Sequence, residues 1–169
     1  MNPLGEKVGY GISLGVKAKT APRKDADNAY LIKRTLGGQK MKGIEFILLA
    51  IGAVVGAYSR YRIVESPITL GGLSVNVLIV NVLGSFILGV FSVLTIALNL
   101  DEKYALLVAI GFCGSFTTMS SFALETSNLM DSNRFSLVVL NIIANVGLSL
   151  SAIFAGSELG NLVMERILR

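Results

Sequence analysis

The sequence predicts an all-α membrane protein of four transmembrane helices, the third broken at mid-membrane. Composition is the first reason: 53% of the 169 residues are hydrophobic and only 15% charged, with a mean hydropathy of +0.68. A soluble domain of this size carries more charge. The second reason is four apolar runs, each near the roughly 20 residues a helix needs to cross a bilayer. The third is the string Gly111-Phe112-Cys113-Gly114-Ser115-Phe116-Thr117-Thr118-Met119-Ser120-Ser121-Phe122, rich in small and hydroxyl residues inside an apolar run. Such a string loosens a helix and frees carbonyls, which hydrocarbon tolerates only inside protein or beside water.

The first span is expected over about Ile44–Val64 and the second over about Leu73–Leu98. The third covers about Tyr104–Met130 and the fourth about Phe135–Val163. Their connections are short: Glu65 to Gly72 with Pro67, Asn99 to Lys103, and Asp131 to Arg134. Short links make sequential helices antiparallel. Four helices make a thin bundle that can hardly enclose a polar path alone, which points to an oligomer. Cys113 is the single cysteine, so no disulfide forms within the chain.

Residues 1–42 form a separate, basic region ahead of the four-span segment 43–169. They hold nine Lys/Arg against three Asp/Glu and no apolar core, so they are expected to be disordered or peripheral and not a signal peptide. Met41-Lys42 also looks like a natural start, which leaves a non-native extension as the alternative to a genuine basic tail. Within 43–169 the two membrane sides balance. Lys103, Arg166 and Arg169 fall on one side, and Arg60, Arg62 and Arg134 on the other. Lys/Arg bias sets orientation, so a balanced chain inserts both ways and can pair as an antiparallel, dual-topology dimer. A genuine tail would instead fix the termini inside.

No charged residue sits centrally in any span, which disfavours a proton-coupled cation exchanger. The central polar groups are neutral. Asn81 lies in the second span, and Asn141, Asn145 and Ser149 follow at i, i+4 and i+8 on one face of the fourth. A stripe of neutral donors suits an anion that sheds its water; it equally suits hydrogen bonding between helices. Gly52, Gly56, Gly84 and Gly89 have the small-residue spacing of close helix packing.

Several of these strings resemble the CrcB/Fluc fluoride channels. Gly52-Ala53-Val54-Val55-Gly56-Ala57-Tyr58-Ser59-Arg60-Tyr61 is similar to the family's first-helix motif. Asn81-Val82-Leu83-Gly84-Ser85-Phe86 is similar to its Asn-x-x-Gly-Ser-Phe. Gly111-Phe112-Cys113-Gly114, followed by Thr117-Thr118-Met119-Ser120-Ser121-Phe122, resembles its third helix. The likeness runs in order over about residues 43–160.

The resemblance implies a passive, selective fluoride exporter in the cell membrane, built as an antiparallel homodimer with two pores. It implies a structural sodium ion, not transported, on the backbone carbonyls of Gly114 and Thr117. It places Asn81, Phe122, Met119, Ser120, Asn145 and Ser149 along the fluoride pore and Arg60 at its mouth. Fluoride accepts hydrogen bonds and donates none, so the carboxamide NH2 of Asn81 and the hydroxyls of Ser120 and Ser149 suit as donors, and the ring edge of Phe122 is electropositive. The chain departs from the family at Met119, where phenylalanine is usual, and at Asn141, where tyrosine is common. Some members work as unequal pairs, so a heterodimer with a homologous chain is the alternative assembly. A non-conducting partner subunit and a small multidrug-type exchanger are the rival functions. The exchanger needs an embedded first-helix carboxylate, and Glu45 stands only at that span's edge. Neither enzymatic activity nor nucleic-acid binding is expected.

Overall fold

The computed structural model describes residues 41–66 and 68–167. The basic region, apart from Met41 and Lys42, lies outside these residues, as does Arg169. Helix α1 spans Gly43–Glu65. A two-residue strand pair follows, β1 (Thr69–Leu70) against β2 (Leu73–Ser74), antiparallel, with Thr69 opposite Ser74. Gly71 and Gly72 turn it, both at positive φ (58° and 84°). That pair of left-handed residues is what a two-residue hairpin turn with the native twist requires. The second helix therefore starts later than the apolar run suggests: α2 covers Asn76–Ala97, and Leu73 belongs to the hairpin. The apolar run could not reveal this, because Leu73-Ser74-Val75 suits either state.

The third span, Glu102–Asp131, has several backbone conformations. A single turn, α3 (Glu102–Ala105), opens it. Asp101 caps that turn, accepting from the Lys103 amide at 3.0 Å. This bond and the Lys103 ammonium hold the Asp101 carboxyl below its ordinary pKa. Leu106–Cys113 is π-helical, and α4 (Gly114–Phe116) completes the rise. Thr117 and Thr118 are extended, and α5 resumes over Met119–Asp131. The last helix, α6, runs over Phe135–Ile167, past the expected end at Val163. All four spans are long and apolar enough to cross a membrane. Only 11% of the most apolar window of α1 is buried within the chain, so its apolar side chains are not matched to this chain's own core.

Packing pairs the helices by parity. α1 lies along the π-helical segment, and α2 along α6. Both seams are built on glycine. Side chains at Gly52 and Gly56 would strike the carbonyl oxygens of Leu107 and Phe112. Side chains at Gly89 and Gly156 would strike those of Ile153 and Phe86. These backbones touch directly, the arrangement small residues permit in membranes, where dispersion replaces the hydrophobic effect. Asn76, 1% exposed, ties the corner between α1 and α2. Its Oδ1 accepts from the Ile68 amide at 2.7 Å, and its Nδ2 donates to the carbonyls of Ile63 and Ser66.

Candidate functional site

The site grows from the two extended residues. At Phe116 the helix ends, and Thr117 (φ −74°, ψ 156°) and Thr118 (φ −150°, ψ 113°) carry the chain onward. Thr117 still donates its amide to the Cys113 carbonyl at 3.0 Å and adds its hydroxyl to the same oxygen at 2.9 Å. Thr118 is the N-cap of α5, its Oγ1 accepting from the Ser121 amide at 3.2 Å, the usual device for an orphan amide in a first turn. The Thr118 amide turns to Asn81 Oδ1 at 2.8 Å. In an unbroken helix that amide would serve the Gly114 carbonyl, four residues back.

A cavity of about 360 Å³ opens against this bend. Its lining includes Asn81, Thr117, Phe122, Asn145 and Ser149, together with Gly114 and Met119. Gly84 brings α2 close, because a Cβ there would meet the Thr117 methyl. The structure thus brings seven of the nine residues singled out in the sequence to one cavity. Ser120 lies beside it, with Oγ 3.1 Å from Thr118 Oγ1. Arg60, half-buried on α1, is not among the lining residues.

The carboxamides are already bonded. Asn81 donates through Nδ2 to Asn145 Oδ1 at 3.1 Å and, at 3.4 Å, to the Thr118 carbonyl. Asn145 donates to Asn141 Oδ1 at 2.8 Å, and Asn141 to Thr126 Oγ1 at 3.0 Å. The stripe read from α6 therefore makes bonds between and along helices at Asn141 and Asn145, the second of the two readings it allowed. Ser149 differs: its Oγ is buried with no hydrogen-bond partner among the described residues. Glu125 Oε2 is in the same condition, though Glu125 also hydrogen-bonds Ser74. Orphaned buried polar atoms are rare in native proteins and call for a reason. Thr126 was not legible as a site residue. Its one signal is its place four residues after Phe122, on the same helix face.

The carbonyls at the bend form a second feature. Gly114 is exposed, and a Cβ there would come no nearer than 3.8 Å to any other group, the Ala109 carbonyl. Packing within the chain thus does not demand glycine at this point. Met119, on the same rim, is 73% exposed.

With this geometry in place, comparison with known proteins is informative. The family model described as CrcB-like protein, Camphor Resistance (CrcB), matches residues 47–157. The chain belongs to the CrcB family. It is 56% identical over 125 residues to the Fluoride-specific ion channel FluC of Nitrosopumilus maritimus (strain SCM1), covering 74% of this chain and 99% of the relative. It is 41% identical to the protein of that name from Sulfurihydrogenibium sp. (strain YO3AOP1), over 70% of this chain and 98% of the relative. The protein of the same name from Koribacter versatilis (strain Ellin345) is 36% identical, over 68% and 94%. Family membership and the four apolar spans make the chain a multi-pass membrane protein. The matched segment, 47–157, contains the whole cavity lining.

Proposed function

We propose that the chain is a passive fluoride channel. The observation that carries this reading is its 56% identity to a Fluoride-specific ion channel FluC across 99% of that relative. The cavity chemistry supports it. A small anion loses hydration on entering protein, a cost that Born estimates put at about 20 kcal/mol even for carboxylate-sized ions, so its path must supply donors. The Ser149 hydroxyl, buried without a partner among the described residues, is free to rotate its proton toward an ion. Ser120 adds a second hydroxyl, Phe122 an electropositive ring edge, and Asn81 its more weakly engaged amide hydrogen. Arg60, on α1, would raise the local anion concentration at the mouth.

The assembly in this reading is an antiparallel dimer. The cavity rim is unfinished within one chain: Gly114, Met119 and Val146 line it yet are exposed. A second copy would close it, and the balanced Lys/Arg distribution favours insertion in both orientations. A structural sodium fits the bend on chemical grounds. The Gly114 carbonyl has lost its helical donor to Asn81, and carbonyl oxygens are hard-cation ligands. Gly114 and Thr117 would hold the ion, and a second copy would double their two oxygens to four. The ion would fix the two bends against each other and take no part in permeation.

The test is fluoride efflux from liposomes holding only this chain, with sodium present and chloride as the control. Fast fluoride release without chloride release is expected. Silence from folded protein would favour the alternative, an obligate partner subunit, with Met119 as the residue that disables the solitary chain.

A further inference from the structure

The hydrogen bonds around the cavity run in one direction. The Thr118 amide donates to Asn81 Oδ1, Asn81 Nδ2 to Asn145 Oδ1, and Asn145 Nδ2 to Asn141 Oδ1. Asn141 Nδ2 then donates to Thr126 Oγ1, and the Thr126 hydroxyl to the Phe122 carbonyl at 2.8 Å. A carboxamide is nearly symmetric in shape, so its neighbours decide which end is oxygen and which is nitrogen. Here the two ends of the chain make that decision. A backbone amide only donates and a backbone carbonyl only accepts. Thr118 therefore fixes Asn81 with its oxygen toward the bend. Independently, the Phe122 carbonyl takes the Thr126 proton, so Thr126 must accept from Asn141. Both ends impose the same sense on all three carboxamides.

We infer that Thr126 is a positioning residue for permeation: with Asn141 it holds, from the far end, the sense that the Thr118 amide gives the Asn81 carboxamide and the Asn141 carbonyl, at 3.2 Å, gives Asn145. The inference rests on the fluoride-channel reading for its functional half. Reversing one carboxamide would turn a carbonyl oxygen toward the anion in place of an amide hydrogen. The present sense leaves Asn81 with a second amide hydrogen held only by the 3.4 Å contact to the Thr118 carbonyl, a distance at which a bond is weak. That hydrogen is the donor the chain keeps pointed at the cavity. Asn141, 1% exposed and not among the lining residues, acts on the ion only through its neighbours, whereas Asn145, 5% exposed, also lines the cavity. Thr126 is the member that can redirect its proton without moving a heavy atom, and the Phe122 carbonyl stops it.

The experiment compares Thr126→Val with Thr126→Ser in the full chain. Valine keeps the shape and loses the hydroxyl; serine keeps the bond. Fluoride efflux is expected to fall about tenfold in Thr126→Val, the scale of one hydrogen bond lost from the barrier, and to hold within about twofold of wild type in Thr126→Ser. Equal efflux from both variants would overturn the inference. If Thr126→Val does not fold, the pair Thr126→Val with Asn141→Leu, which leaves no unmatched partner, takes its place; wild-type efflux from that pair would likewise overturn it. Nuclear magnetic resonance separates this inference from the channel reading, because it needs no flux. In wild type the side-chain amide protons of Asn141 and Asn145 should exchange far more slowly than those of exposed Asn133, and Thr126→Val should shift the Asn81 side-chain amide while Thr126→Ser leaves it in place. Fast exchange, or an unmoved Asn81 signal, would count against the polarity chain even if wild type conducts. A silent wild type with these signals intact would sink the channel reading and leave the chain standing.

Discussion

The two halves of the α2–α6 seam hold the same helices together by opposite means. Around Gly89 and Gly156 the backbones touch, and a Cβ on either glycine would collide with a carbonyl. Around Asn81 and Asn145 the helices stand one carboxamide apart, joined by a 3.1 Å hydrogen bond, and a cavity opens beside them. The glycine half has no room and no chemistry. The asparagine half has both. Close contact at one end thus holds the register that the polar end needs, while the polar end leaves space for an ion.

This contrast breaks most visibly at the glycines. Gly156→Leu should abolish the folded protein, because the obstacle is backbone and cannot step aside. Overpacking costs about 1–3 kcal/mol even where side chains give way, and size-exclusion chromatography of the extracted protein will register the loss. Asn81→Ala comes next. It should leave a folded protein with fluoride efflux down at least about tenfold, at a stability cost of about 1–3 kcal/mol for the Thr118 amide left unmatched. Wild-type efflux from Asn81→Ala would show that the polar half is only a fastening.

Ser149→Ala sharpens the comparison, because the two halves of its outcome have opposite signs. Removing a buried hydroxyl that bonds to nothing among the described residues should hold or raise the melting temperature while efflux falls. A fall in both would mean the hydroxyl has a structural partner. Met119→Phe should keep or raise efflux, restoring a ring edge at an exposed rim position. Smallest is Asp101, outside both halves. Its depressed carboxyl pKa stabilises the fold at neutral pH, and that contribution is lost as pH falls through the lowered value. Asp101→Asn should therefore flatten a slight acid-side decline in thermal stability and leave efflux unchanged.

Much of this was legible in the sequence for identifiable reasons. The spans announce themselves through length and hydropathy, because that signal is local. The hairpin at Thr69–Ser74 was hidden because two-residue strands leave no alternation to read. The π-helical turn of Leu106–Cys113 carries no composition that separates it from an α-helix. The residues of the cavity could be named, but not the direction of their bonds. The carboxamides' orientation is set by Thr118 and Thr126, both on the third span and each bonded to an asparagine of another helix, and neither bond is visible one residue at a time.

The length of α6 carries a consequence for the membrane itself. Its 33 residues, at about 1.5 Å each, reach about 50 Å, against a hydrocarbon layer of about 30 Å and roughly 40–45 Å with headgroups. Its shorter neighbour α2, with 22 residues, is close to the hydrocarbon thickness alone. A thinner or thicker bilayer must tilt such a rod, yet the glycine contacts forbid α6 from sliding along α2. The two helices must lean as one body, so lipid thickness changes the inclination of the polar face without altering the spacing of its groups.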